Sequence, residues 1–452
     1  MRVTVFADDL TGANETAACF VHDGISARVH LVLPGAIETA SAPSGSPRRD
    51  VVVYDTETRN VCNDAVADRL IPFVRSERAG APSAVYKKID STLRGPFAAE
   101  IGFLMNELKL ETCLVAPAFP AQGRTTSQGY QLVHGKPVGE TAVAQDKAFL
   151  VRDSHLPAHL EKALGKQILT IGSREVEDGP EALGQVLRRA FTRAEVLVVD
   201  AEREDHVETL AKALEWVSPL PLLVGAAGLA KHLGGQAASR GQPKKRAALV
   251  TAEVEAGVLV ACGSRHPATV EQTASLQQTL DVSTFRLDPA LVSSVGGGRG
   301  GDELSALAES IACALRQRDV LLLPPHAPVS GVASALGRVV AEVSRRIVPG
   351  GLVMTGGDTA FGVFEALGVR TIEIGGEVRE GIPFGSLPNS ILNGLPFVTK
   401  AGGFGAADAL VQCVRHLRPS VGRTATASAG GQVGPASPAS VGNPYKKGGC
   451  VS

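Results

Sequence analysis

The sequence predicts an α/β protein of two layered domains with mostly parallel sheets and an active site in the cleft between them. Three observations carry that prediction. Short apolar runs alternate with longer stretches of helical period along most of the 452 residues, the pattern of parallel strands joined by crossover helices. A chain of that length exceeds what one hydrophobic core organises. Two strand–turn–helix passages, one near each end, put carboxylates and glycines where open α/β sheets bind ligands.

Candidate strands of the first half fall at 3–6, 29–33, 51–54, 84–87, 113–116, 168–171, 196–200 and 222–224. Amphipathic stretches such as 60–75, 181–193 and 205–217 lie between them. Residues 234–257, opening GGQAASRGQPKKRAAL, break the pattern, being small, polar and basic. They read as an interdomain connection, with Lys244-Lys245-Arg246 a solvated cluster. A second set of strands follows at 258–262, 282–287, 320–324, 351–354, 371–374 and 396–400. Beyond about residue 419 the chain is rich in Gly, Ser, Ala and Pro, which predicts disorder. The expected plan is therefore a first domain at 1–233, a linker at 234–257, a second domain at 258–415 and a tail at 416–452.

Composition narrows the function classes. A net charge of −1 and a pI near 6.8 supply no field to recruit nucleic acid or acidic membranes. Aromatic residues make up only 4%, too few for base-stacking surfaces. No apolar run is long enough to span a bilayer, and Met1-Arg2 leads straight into a strand, so neither a membrane span nor a secretory leader is expected. The seven cysteines are widely spaced and never in CxxC order, which fits reduced thiols in a cytoplasmic enzyme.

The most informative passage is 352–365, LVMTGGDTAFGVFE: an apolar strand, two glycines, then Asp358 and Thr359 opening a helix. Bare glycine backbone at a helix N-terminus admits a phosphate closely, and the exposed N–H groups and dipole attract its charge. Its companion is 3–20, VTVFADDLTGANETAACF, in which Asp8, Asp9 and Gly12 follow a strand and a helix begins near Ala13. One such loop suits a nucleotide and the other a polar acceptor, which is the pairing a two-domain kinase requires. The acidic pair can accept hydrogen bonds from hydroxyls or help hold Mg²⁺; capping the helix is the plainer alternative.

Residues 86–96, YKKIDSTLRGP, carry Lys87 and Lys88 on a strand, then Asp90 and Arg94 in a turn. Strand neighbours face opposite ways, so Lys88 shares the face of Asp90. A lysine and an arginine beside hydroxyl acceptors suit a small substrate bearing a carboxylate and several hydroxyls. Residues 115–134, VAPAFPAQGRTTSQGYQLVH, read as a long loop over a pocket, with Arg124 among backbone donors. In the second half, Ser264 follows a strand and Pro267 suits the next helix's first turn. Gly356-Gly357 and Gly402-Gly403-Phe404-Gly405 end two later strands. Three such turns on one sheet converge on one crevice. The GGGRGG passage at 296–301 matches dinucleotide spacing formally, but the segment before it is a poor strand and it reads as a flexible loop.

Five blocks in order, ADDLTGA, KKIDSTLRG, APAFPAQGRTT with GYQLVHGKPV, TGGDTA and AGGFG, resemble the four-carbon acid sugar kinase family, over about residues 3–412. The KKIDSTLRG wording looks more like its threonate and erythronate branch, while Pro96-Phe97 departs from the usual Asn-Ile. The resemblance implies an ATP- and Mg²⁺-dependent kinase of a small C3 or C4 sugar acid such as threonate, erythronate, their oxo relatives or glycerate. It implies acid binding in the N-terminal domain, near Asp8, Asp9, Lys88, Asp90 and Arg94. It implies ATP binding in the C-terminal domain, around Ser264, Gly356, Gly357, Asp358, Thr359 and Gly403, with His266 standing where the family commonly has a second serine. Gly402 is expected beside Gly403, and Arg124 on the acid side. Asp9 and Asp358 are both candidates for the base, and no metal ligands are assigned. The remaining readings are an NAD-dependent sugar-acid dehydrogenase, through the 296–301 loop, and a non-catalytic sugar-acid-binding protein. Expected partners are the acid and ATP, with neither nucleic acid nor membrane, and a homo-oligomer is compatible with the sequence.

Overall fold

The computed structural model describes residues 2–21, 25–32, 50–78, 83–145, 153–239, 256–296, 301–388, 392 and 394–418. The central connection, residues 297–300 of the glycine-rich passage and the tail from 419 lie outside the described residues.

In the N-terminal lobe the order is β1 (Val3–Ala7), α1 (Leu10–Val21), β2 (Ala27–Leu31), β3 (Val51–Asp55), α2 (Val66–Arg78), β4 (Ala84–Lys88), α3 (Phe97–Leu108) and β5 (Cys113–Ala116). It continues with β6 (Arg124–Ser127), β7 (Tyr130–Val133), β8 (Lys136–Pro137), α4 (Leu156–Leu164), β9 (Ile168–Ile171), α5 (Ser173–Glu177), α6 (Pro180–Phe191), β10 (Val196–Val199), α7 (Glu204–Ala213), β11 (Leu222–Gly225) and α8 (Ala227–Ser239). The C-terminal lobe comprises β12 (Val258–Cys262), α9 (Pro267–Thr279), β13 (Val282–Arg286), α10 (Pro289–Gly296), α11 (Gly301–Leu315), β14 (Asp319–Leu323) and α12 (Val332–Ser344). It ends with β15 (Gly351–Thr355), α13 (Gly357–Ala366), β16 (Thr371–Arg379), β17 (Ile382–Ser386), β18 (Pro396–Lys400) and α14 (Ala409–Leu417).

The two lobes share one 15-stranded sheet, ordered β13-β14-β12-β15-β18-β17-β16-β2-β3-β1-β4-β11-β5-β10-β9. Both flanks are parallel, and the antiparallel ladders are the central ones, β18–β17, β17–β16 and β16–β2. The last of these joins the lobes, with Glu373 opposite Arg28 and a 2.7 Å ion pair between their side chains.

Strand composition explains the layering. β1 and β12 are buried at every position, as parallel strands with both faces covered must be. Their side chains alternate between cores: Val3, Val5 and Ala7 enter one cluster and Phe6 another. Leu259 and Ala261 join the first of these, which runs through both lobes, whereas Val258, Val260 and Cys262 pack against α14.

Several expectations need correction. Helix α1 begins at Leu10, not near Ala13, because Asp9 caps it: its Oδ1 accepts the Gly12 N–H at 2.9 Å. Strand β2 lies two residues before the expected 29–33. The expected loop at 115–134 contains a hairpin, β6–β7, with β8 beside it. Its two-residue turn, Gln128-Gly129, has φ of 51° and 77°, the left-handed pair that a tight hairpin needs. The Asp200 carboxylate accepts both turn amides, at 2.7 and 2.9 Å, which supports glutamine in that conformation. Strand β17 was not foreseen, and the residues before the GGGRGG passage, expected to make only a poor strand, form helix α10. Helix α8 continues to Ser239, six residues into the expected linker, and α14 continues to Leu417.

Candidate functional site

Strands β1, β3 and β4 are neighbours, so their C-terminal ends deliver three loops to one place. The loop after β1 carries Asp9, Thr11 and Gly12, that after β3 carries Arg59, and that after β4 carries Asp90 and Arg94. In the other lobe β12, β15 and β18 are likewise adjacent. They deliver Gly263-Ser264, Gly356-Gly357-Asp358 and Ala401–Gly405. The two sets face one another across a cleft of about 1220 Å³, larger than an ordinary single-ligand pocket and sufficient for a nucleotide with a small second substrate.

Of the residues expected from sequence, Asp9, Lys88, Asp90, Arg94, Arg124, Ser264, Gly356, Gly357, Asp358, Thr359, Gly402 and Gly403 all line this cleft. Asp8 does not. It is 2% exposed and lies behind Arg59, whose Nε donates to Asp8 Oδ2 at 2.8 Å and Nη2 to Oδ1 at 3.1 Å. Arg59 also grips Asp9, Nη1 to Oδ2 at 2.6 Å and Nη2 to Oδ1 at 2.8 Å.

Arg59 is the principal residue that sequence reasoning missed. Its signal was present, an arginine four residues beyond a buried strand, but strand order is what brings it to the acidic pair. Burial alone would raise the Asp8 carboxyl, yet Arg59, Lys87 and Lys88 together hold it below the usual carboxylate range. Burial likewise opposes ionisation of Asp90, and Arg59 and Arg94 overcome it.

The lysine pair divides as strand alternation requires. Lys88 lines the cleft and donates to the Ile89 carbonyl at 3.1 Å. Lys87 points to the opposite face, fully buried, and its Nζ pairs with Glu100 Oε1 at 2.6 Å. Thr58 Oγ1 donates to the same carboxylate oxygen at 2.5 Å and exchanges a 2.7 Å hydrogen bond with Thr56, so this network braces the turn that presents Arg59. Asp90 accepts from Arg94 Nε at 2.7 Å and Nη2 at 3.2 Å, and also from the Thr92 hydroxyl. Arg124 donates to the Gln122 carbonyl.

Behind Asp9 lie two further carboxyls. Burial first, then the Asp9 charge, pushes Glu57 up to about 7, and burial with Glu57 beside it lifts Asp55 well above its ordinary value. Both therefore add less negative charge to the cleft than their number suggests.

The C-terminal wall is built for close approach. A Cβ on Gly263 would lie 2.1 Å from Thr359 Oγ1, and one on Gly402 would lie 2.2 Å from Ser264 Oγ. One on Gly357 would lie 2.7 Å from Thr11 Oγ1, so the two lobes meet at that glycine. Gly356 has a φ of 99°, which a residue with a side chain rarely adopts. The Asp358 side chain, exposed in the first turn of α13, makes no hydrogen bond or ion pair among the described residues. His266 caps α9, its Nδ1 accepting the Ala268 N–H at 3.2 Å, and Pro267 follows at the first helical position. Among the described residues no group of three metal-ligating side chains occurs, and no helix is long and apolar enough to cross a membrane.

Comparison with known proteins gives this geometry its context. Residues 3–233 match a family model described as a sugar-binding N-terminal domain, and residues 259–410 one described as a nucleotide-binding C-terminal domain. The chain is 32% identical to the D-threonate kinase of Bordetella bronchiseptica, over 92% of this chain and 97% of that one. It is 26% identical to the D-erythronate kinase of Heliobacterium modesticaldum, over 92% and 97%. A crystal structure from Salmonella typhimurium LT2 superposes with a TM-score of 0.77 at 22% identity, covering 93% of this chain and 100% of that one, a likeness of fold.

Proposed function

The chain belongs to the four-carbon acid sugar kinase family, and from that premise we infer an ATP-dependent kinase that phosphorylates a hydroxyl of a C4 sugar acid of the threonate and erythronate type. One observation carries the reading: glycine turns without room for side chains face a lysine-, arginine- and aspartate-lined wall across a single cleft.

Phosphoryl transfer asks a protein mainly for alignment and charge stabilisation. The crowded glycines at 263, 357 and 402 fit a polyphosphate chain lying against bare backbone. Mg²⁺ bound to phosphates takes only one or two protein carboxylates. Among the described residues the cleft carboxylates form no three-ligand group, so the residues present fit only a cation that would arrive with the nucleotide, held mainly by its phosphates, with Glu15 as the cleft carboxylate to assist.

The sugar acid's carboxylate is assigned to Lys88 and to the guanidinium edge of Arg94 not bound to Asp90, and its hydroxyls to Asp90 and Asp9. Asp9 is a poor base, because Arg59 occupies both its oxygens. Asp358 is unencumbered and is assigned the proton of the attacking hydroxyl. Arg59 positions Asp9, and Arg124 closes the acid side.

Incubation with ATP, Mg²⁺ and a panel of C3 and C4 sugar acids tests the reading. ADP release is expected with threonate or erythronate. Release with none of the acids, or NAD reduction in its place, would overturn it. Arg94→Ala is expected to raise the KM for the acid by about tenfold or more while the KM for ATP stays within about twofold, as for loss of one charge-assisted contact. An unchanged acid KM removes Arg94 from the site.

A further inference from the structure

Strand β18 ends on Lys400, which is 2% exposed and has no ion-pair partner among the described residues. Its ammonium instead donates to three carbonyls of the following turn: Ala401 at 2.8 Å, Gly402 at 3.2 Å and Phe404 at 3.1 Å. Helix α9 holds the same turn from the other side. Thr269 Oγ1 donates to the Gly402 carbonyl at 2.8 Å, and Gln272 Nε2 to the carbonyls of Phe404, Gly405 and Ala406 at 2.9, 2.9 and 3.1 Å. Gln272 is fully buried.

A buried ammonium is costly to desolvate, and burial draws the Lys400 pKa down, with only the thiols of Cys262 on β12 and Cys413 on α14 opposing it. Apolar residues of similar length would pack here without that cost, so the charge calls for an explanation. Peptide geometry supplies one. In a planar trans peptide the carbonyl of one residue and the N–H of the next point in opposite directions. With the carbonyls of 401, 402, 404 and 405 drawn into the protein, the N–H groups of Gly402, Gly403, Gly405 and Ala406 turn away from Lys400. Residues 401–405 line the cleft, and the amides of Gly402, Gly403 and Gly405 donate to no acceptor among the described residues. Successive inward carbonyls and outward amides form an anion-binding nest.

We propose that Lys400, Thr269 and Gln272 act as a carbonyl clamp that holds the 401–406 turn as an amide cradle for a phosphate of the nucleotide. The clamp residues touch no substrate; they are positioning residues, and the lysine adds a positive charge behind the cradle. The proposal rests on the kinase reading in one respect, that the C-terminal lobe binds a nucleotide.

The test uses the full chain with Lys400→Met and Thr269→Val, ADP affinity by calorimetry, and the KM of the acid accepted in the substrate panel. Lys400→Met is expected to weaken ADP binding at least about tenfold, and Thr269→Val, which loses one hydroxyl, about two- to tenfold. The acid KM is expected to stay within about twofold in both. If Lys400→Met does not fold, Thr269→Val carries the test. Unchanged ADP affinity in a folded variant, beside a wild type that binds ADP, overturns the clamp and leaves the kinase reading standing. Equal losses for acid and nucleotide also overturn it, as they indicate general loosening. A wild type that fails to bind ADP removes both.

Discussion

Asp358→Asn is expected to lower kcat by at least about a hundredfold while leaving the KM values for ATP and acid within a few-fold. The size follows from general-base catalysis, which contributes on the order of 10²–10⁴ to a proton transfer. The choice of residue follows from what surrounds the two aspartates. Both oxygens of Asp9 are held by Arg59 and one also accepts the Gly12 amide, so taking a proton there means breaking an ion pair. Asp358 has no such commitment. It also follows Gly357, which touches Thr11 of the opposite lobe, and so stands where the two substrates meet. Steady-state kinetics of Asp358→Asn and Asp9→Asn decide the matter. A larger kcat loss in Asp9→Asn would exchange the assigned roles, and near-wild-type turnover of Asp358→Asn would leave that residue a favourable first-turn acid and nothing more.

The largest structural effect is expected from Arg59→Leu. The guanidinium is nearly buried and neutralises two carboxylates, one of them 3% exposed at its side chain. Removing one partner from a buried ion network leaves uncompensated charge and costs about 3–5 kcal/mol of stability. The pH dependence gives the effect a signature. In the wild type Asp8 titrates below its ordinary range, so its contribution is present above the unfolded carboxylate pKa and is lost as pH falls through the depressed value. Without Arg59, burial dominates and lifts Asp8, so the folded state binds the proton more tightly than the unfolded one. The deficit of Arg59→Leu should therefore widen as pH rises from about 4 to about 8, measured by urea unfolding across that range. A deficit independent of pH would show that the arginine acts through packing of its stem rather than through its charge.

What the sequence disclosed, and what it did not, follows from how local each feature is. Strands such as Cys113–Ala116 and Val258–Cys262 are continuous apolar runs between turn residues, and their bounds are those expected. Lys88 was separable from Lys87 because alternation along a strand is a two-residue property. The three turns after β12, β15 and β18 announced themselves by glycine. Arg59 was hidden because its partners lie about fifty residues earlier, and only the β1–β3 pairing joins them. The clamp was hidden for a similar reason: Gln272 and Lys400 belong to separate α/β units, and each alone reads as an ordinary polar side chain. The hairpin at 124–137 was obscured because its turn uses glutamine in a left-handed conformation, supported by the distant Asp200. Nor does the chain's alternation show that both lobes share one sheet, since that depends on a single antiparallel ladder between β16 and β2.

The central claim is that the nucleotide lies on the glycine wall with its terminal phosphate directed at the acid side of the same cleft. A crystal structure with bound ADP tests it most directly. The account predicts phosphate oxygens within hydrogen-bond distance of the backbone amides at Gly357 and Gly402-Gly403, with the chain pointing towards Thr11 and Lys88. Nucleotide bound elsewhere, or phosphates directed away from Asp358, would contradict it.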